Sequence, residues 1–267
     1  LTKMSLPTLT DAKLELDAGV ATLTFCREDV LNALTGTNLI DDIIHTLDWA
    51  EASPDVGCVI LTGTGKGFSS GGNVKDMHER TGMFSGGVDD IAAAYKATIQ
   101  RIPMKFAELS VPVIAAINGV AVGAGFDLTA MCDVRIAADH ARFGENFVNM
   151  GLIPGDGGAY FLQRVVGYQR AAELTFTGRL FNAHEAKAIG FLLDAVPADQ
   201  LMDRATTLAQ EIAAKPHYQV RQSKLLMRKA QQMNLSDFLD HTALVQGTCH
   251  HSDAHKEAVA AFVNKGK

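Results

Sequence analysis

Asn118-Gly119-Val120-Ala121-Val122-Gly123-Ala124-Gly125-Phe126-Asp127 is the stretch on which the fold turns. It follows the apolar run Val113 to Ile117, which Pro112 opens as the first residue of a strand, a tolerated place for proline. A helix is expected from about Phe126. One further corner of this kind lies upstream. Val56 to Leu61 is almost wholly apolar, as in a strand covered on both faces, and Phe68-Ser69-Ser70-Gly71-Gly72-Asn73 follows, with a helix expected near Ser70. The first N–H groups of a helix lack an intrahelical acceptor and carry the positive end of its dipole. Small residues let a ligand approach that backbone. Two such corners meeting in space would aim two N–H donors at one oxygen and stabilise charge as it develops on a carbonyl. Either corner alone reads better as a tight turn that needs glycine.

Outward from the corners, Lys13 to Phe25 alternates apolar and polar around Asp17-Ala18-Gly19, which predicts a hairpin. Leu39, Ile40, Ile43, Ile44 and Leu47 recur at helical spacing and predict a helix over 38–51. Residues 79–90 are charged, Gly-rich and without period, and read as a mobile surface loop. Ile91 to Leu109 reads as one helix with a kink at Pro103. Val134 to Ala137 is a further strand, and 142–158 is irregular. Beyond about residue 200 the strands stop, and 201–214, 216–232, 236–247 and 253–264 read as helices. Strand, Gly-rich corner and helix recur three times without a similar repeat in sequence. The expected fold class is α/β, a turning layered core over 10–199 with a helical region over 200–267.

The 267 residues are 47% apolar and 20% charged, an ordinary globular composition that excludes fibrous and disordered classes. No stretch approaches a membrane span, and no secretory signal is visible, with Met4 read as the start. Net charge is −6 with dispersed Lys and Arg, so neither nucleic acid nor a membrane is expected as a partner. Cys26, Cys58, Cys132 and Cys249 form no CxxC pair and read as free thiols in a reducing, cytoplasmic compartment.

Taken together, several segments resemble the crotonase (enoyl-CoA hydratase/isomerase) superfamily, in that family's order over nearly the whole chain. They are Arg27 to Leu34, the first corner continued through Val74-Lys75-Asp76-Met77, Ile117 to Asp133, Gly151-Leu152-Ile153-Pro154-Gly155-Asp156-Gly157-Gly158, Leu174 to Gly178, Ala183 to Gly190 and His255 to Lys265. The resemblance implies a spiral of strand-strand-helix turns, with C-terminal helices that build trimers or hexamers. It also implies an acyl-CoA thioester substrate, coenzyme A entering only as part of that substrate, with no bound metal. The thioester oxygen would sit between the backbone N–H groups of Ser70 and Ala124. Arg27, Val30, Leu31, Ser70, Asn73 and Val74 would flank the CoA moiety, and Lys265 or Lys267 of a neighbouring subunit would reach phosphate. Met77, Gly123 and Phe147 would line the acyl pocket, capped by the loop 79–90 with Met83 and Phe84.

The resemblance also frames the acid/base chemistry. Family hydratases use two glutamates, whose positions here hold Asp127 and Phe147. Glu145, two residues from the second position, is not expected to replace it. Hydration needs water activation at one carbon and proton delivery at the other, whereas moving a double bond needs one base. Asp156, in the Pro-x-x-Gly-Gly region, is a second candidate base. Double-bond isomerisation is therefore slightly preferred, with hydration by Asp127 and Asp156 as the alternative. A catalytically weak homologue that binds CoA esters is a further one. Gly67-Phe68-Ser69-Ser70-Gly71 matches a nucleophile elbow, but no histidine sits in a compelling position. Gly63-Thr64-Gly65-Lys66 fails both phosphate-loop patterns. His78 reads as a surface position, and His250, His251 and His255 as a solvated helix face rather than a metal site.

Overall fold

The computed structural model describes residues 4–265. It begins with β1 (Ala12–Asp17) and β2 (Val20–Phe25), an antiparallel hairpin. The two turn residues, Ala18 and Gly19, both have positive φ, the tight geometry whose twist suits a two-residue hairpin. Then follow α1 (Leu39–Ala52), β3 (Cys58–Gly63), β4 (Gly67–Ser69), α2 (Val74–Glu79), α3 (Val88–Ala97) and α4 (Arg101–Glu108). Next come β5 (Val113–Ile117), β6 (Val120–Val122), α5 (Ala124–Met131), β7 (Val134–Ala138), β8 (Arg142–Gly144), α6 (Gly158–Val166) and α7 (Tyr168–Thr177). The chain closes with β9 (Phe181–Asn182), α8 (Ala183–Ala188), β10 (Asp194–Val196), α9 (Leu201–Ala213), α10 (His217–Lys229), α11 (Leu235–His251) and α12 (Asp253–Lys265).

Two sheets organise these elements. One runs β1-β2-β3-β5-β7-β10, parallel except at the hairpin; the other runs β4-β6-β8-β9. Each of three successive turns gives one strand to each sheet and then a helix: β3 and β4, β5 and β6, β7 and β8. That repetition is the spiral. The apolar runs make it possible. In β3, Val59 and Leu61 enter the main core while Cys58 and Ile60 face the opposite side. In β5, Val113, Ala115 and Ile117 divide from Ile114 and Ala116 in the same way. Helices cover both faces, so both sets must be apolar. The second face is closed by Leu201, Ala205 and Ala209 of α9. The first of the C-terminal helices, α9, thus packs directly on the sheet.

Several elements differ from expectation. The helix read over 91–109 is two helices, broken at Thr98 to Gln100 rather than at Pro103. Pro103 falls in the first turn of α4, where its missing N–H costs no helical bond. The helix after the first corner starts at Val74, not Ser70, because the Asn73 side chain caps it by accepting from the amides of Lys75 and Asp76. After the second corner the helix starts at Ala124, two residues early, and each corner carries a short extra strand, β4 or β6. The loop 79–90 holds a 3-10 turn over Gly82–Phe84 and the start of α3.

Candidate active site

The two corners touch. A Cβ built on Gly71, whose φ is +76°, would lie 2.6 Å from the Ala124 amide nitrogen and 2.8 Å from the Val122 carbonyl oxygen. Only glycine fits there, since any side chain would cover the Ala124 amide. Asn32, fully buried, brackets the first corner. Its side-chain amide donates to the carbonyls of Thr64 and Gly67, and its Oδ1 accepts from the Arg27 amide. Leu31 and Asn32 both adopt left-handed backbone, which turns the Leu31 carbonyl toward the corner.

That carbonyl changes one assignment. The Ser70 N–H, expected to point at the ligand, donates to Leu31 O at 2.9 Å, so it is not free for a thioester oxygen. The Ser70 hydroxyl is likewise engaged, with Val30 O at 3.1 Å, and Ser69 Oγ donates to Asn32 O at 2.8 Å. The next amide but one is different. Among the described residues neither the Gly72 N–H nor the Ala124 N–H has an acceptor, and both residues line one cavity. The first corner therefore offers Gly72 rather than Ser70.

The cavity holds about 460 Å³. Of the expected residues, Val30, Leu31, Ser70, Asn73, Val74, Met77, Gly123, Ala124, Phe147 and Asp156 lie on its wall, as do Met83 and Phe84. The Phe147 ring lies beside Gly123, and the Met77 methyl lies against Gly72. Tyr95 and Ile99, which the sequence did not single out, complete the apolar side. Arg27 is not on the wall: its guanidinium forks onto Asp29, with Asp11 as a further partner, so its charge is already matched. His78 is exposed, and no histidine lines the cavity among the described residues. Lys267 and the side chain of Lys265 lie outside the described residues.

Three carboxyls meet behind the second corner. Asp127, in the first turn of α5, is fully buried and absent from the cavity wall. Its helix turn is fixed by Phe126, stacked on Phe191 with ring centres 4.8 Å apart. Neither Asp127 oxygen meets an N–H or hydroxyl donor among the described residues; both press against Gly158 at the start of α6. Burial pushes the Asp127 carboxyl well above the usual carboxylate range, and contact with Asp156 and Glu145 pushes it further. Asp156 reaches the same point from the loop before α6. It is raised by burial, and the Asp127 side chain and nearby backbone pull it partly down again. Glu145 follows β8 and accepts the Thr175 hydroxyl from α7. Burial raises it to about 7 against that hydroxyl. The Tyr95 phenol is raised by burial and by Asp156. Like charges this close cannot all ionise, so the cluster holds protons at neutral pH.

Glu145 is the member that sequence reasoning set aside. It stands just past the end of β8, two residues beyond the buried Phe143, where strand alternation no longer fixes the direction of a side chain. Among the described residues no group of His, Cys, Asp or Glu has a metal-binding arrangement.

Comparison with known proteins places this geometry. The family profile Enoyl-CoA hydratase/isomerase matches residues 15–267. The chain belongs to the enoyl-CoA hydratase/isomerase family. It is 33% identical over 260 residues to the short-chain-enoyl-CoA hydratase of Clostridium acetobutylicum, covering 97% of each chain. It is 32% identical over 250 residues to the 1,2-epoxyphenylacetyl-CoA isomerase of Escherichia coli, covering 94% of each. The crystal structure of enoyl-CoA hydratase from Bacillus anthracis superposes with a TM-score of 0.88 at 30% identity, covering 96% of this chain and 97% of that one. The spiral of paired strands and helices is thus the crotonase fold, and the chain is an enzyme of the enoyl-CoA hydratase/isomerase family.

Proposed function

We propose that this enzyme shifts the double bond of an enoyl-CoA thioester, using Asp156 as the single base and the amides of Gly72 and Ala124 as the oxyanion hole. The observation that carries the reading is the cavity wall. It presents two carboxylates, and Asp29 is held by Arg27, which leaves Asp156 as the one acid unmatched by a cation among the described residues. Asp156 removes a proton from the carbon that becomes acidic beside the thioester. The electrons move onto the carbonyl oxygen, where two oriented N–H donors stabilise them without reorganisation. Asp156 then returns the proton at the other end of the allylic system. Phe147 and Tyr95 keep that space apolar, which raises the base toward working pH and excludes water from the enolate.

Hydration is the second reading, favoured by the hydratase names among the relatives. It needs two carboxylates on either side of one water. Here Asp127 and Asp156 lie against each other, and Asp127 is off the wall. The chain ends in helices with exposed apolar residues, among them Leu235, Leu239, Leu244 and Phe262, which suit a trimer or a dimer of trimers. Its four cysteines are free thiols, as suits the cytoplasm. Incubation with 3-enoyl-CoA and 2-enoyl-CoA tests the reaction. The expected product from the first is the 2-enoyl isomer, abolished in Asp156→Asn. A 3-hydroxyacyl product formed as fast, or tight binding without turnover, contradicts it.

A further inference from the structure

The proton transfer just described, on which this inference rests, uses Asp156 and leaves Glu145 without a part. Yet Glu145 is fully buried, its Oε2 is fixed by Thr175, and its Oε1 has no donor among the described residues. Asp127 is in contact with both Glu145 and Asp156, and its two oxygens have no N–H or hydroxyl donor among the described residues either. A carboxyl buried this deeply without cations is costly unless its neighbours supply the hydrogen bond, and the neighbours here are carboxyls.

We propose that Glu145, anchored by Thr175, is a positioning residue that sets how strongly Asp156 takes up a proton, by competing for the single O–H of Asp127. A protonated Asp127 has one hydrogen and two carboxylates in reach. Donated to Asp156, that hydrogen occupies a lone pair the reaction needs and weakens the base. Drawn back to Glu145, it frees Asp156 toward the cavity. The Thr175 hydroxyl favours the ionised form of Glu145 and so maintains it as an acceptor. No proton leaves the site by this route. The proton removed from substrate stays on Asp156 until it returns to carbon, and only the direction of the Asp127 hydrogen bond changes. The titratable groups packed here from α3, α5, the segment just after β8 and the loop before α6 are Tyr95, Asp127, Glu145 and Asp156, with Thr175 facing from α7.

The test is the pH profile of isomerisation in Glu145→Gln, Thr175→Val and Asp156→Asn, with a parallel infrared titration of carboxyl groups in the unliganded proteins. Glu145→Gln keeps the shape and removes the competing charge. Its acidic limb should move down by about one pH unit, with plateau kcat lower and KM within about twofold. Thr175→Val should move the limb the same way by less. The infrared titration should show the remaining carboxyls ionising at lower pH, a readout independent of turnover. An unmoved limb together with an unmoved titration in Glu145→Gln, while Asp156→Asn is inactive, overturns this inference alone. Full turnover in Asp156→Asn overturns the reading beneath it and this inference with it.

Discussion

A single missing methyl group separates the two corners. A Cβ on Gly71 would fall on the Ala124 amide, so Gly71→Ala should lower kcat/KM about a hundredfold or more, the cost of losing one oxyanion donor. Steady-state kinetics on purified, folded variant protein checks this. Ser70→Ala should behave differently. It loses the hydrogen bond to Val30 O, worth about 1 kcal/mol of stability, and turnover should stay within a few fold. Abolished turnover would restore the serine nucleophile. Burial of Asp127 has a thermodynamic signature. Its folded-state proton affinity is raised, so its contribution to stability is present below the unfolded carboxylate pKa and fades as pH rises toward the folded value; for Glu145 the fading is complete by about 7. Melting temperature should therefore fall from weakly acidic to alkaline pH. Asp127→Asn should flatten that fall and raise the alkaline melting point.

At the scale of elements, Asn73 is the hinge of the first corner. Its side chain caps α2, and its own amide is held by the Thr35 hydroxyl at 2.8 Å. Asn73→Ala should destabilise the fold by about 1 kcal/mol and raise KM more than it lowers kcat, because the frayed helix carries Met77 on the cavity wall; denaturation and kinetics separate the two effects. The strands were legible because burial on both faces writes an unbroken apolar run, as in Val56 to Leu61. The break between α3 and α4 was not, since proline marks a kink and a helix start equally well. The meeting of the two corners was legible as chemistry. Which amide faces the cavity was not, because it depends on Leu31 and Asn32 turning left-handed some forty residues upstream. Asp156 was singled out by the family resemblance, since a glycine-rich turn alone accounts for an aspartate there, and it lies on the cavity wall. Glu145 could not be read, since the chain passes from strand to 3-10 turn between it and Phe147, and an offset of two residues there carries no fixed direction.

The molecule as a whole is tied to its C-terminal helices by cations on one face of α10. Arg221 donates to the carbonyls of Ala50, Glu51, Ser53 and Val56 at the end of α1 and beyond, and Arg228 donates to those of Phe106 and Leu109 at the end of α4. Between them Lys224, buried, bonds Val111 O at 2.6 Å and Asp133 at 2.7 Å. Helix C-termini carry negative dipole ends, so α10 is held by charge where its apolar content is small. Lys224→Met should cost about 3 kcal/mol by leaving Asp133 short of a partner and lower the melting temperature by several degrees without changing KM. The mass in solution of that variant, by sedimentation, should also fall below a trimer's if the C-terminal helices build the assembly. On the function proposed above, this scaffold holds two corners and one acid around a thioester. The most direct measurement is a crystal structure with a slowly reacting enoyl-CoA bound. The carbonyl oxygen should lie about 3 Å from the nitrogens of both Gly72 and Ala124, with the Asp156 carboxyl over the carbon that loses its proton. An oxygen seated away from either nitrogen, or a reacting carbon out of reach of Asp156, would contradict the account.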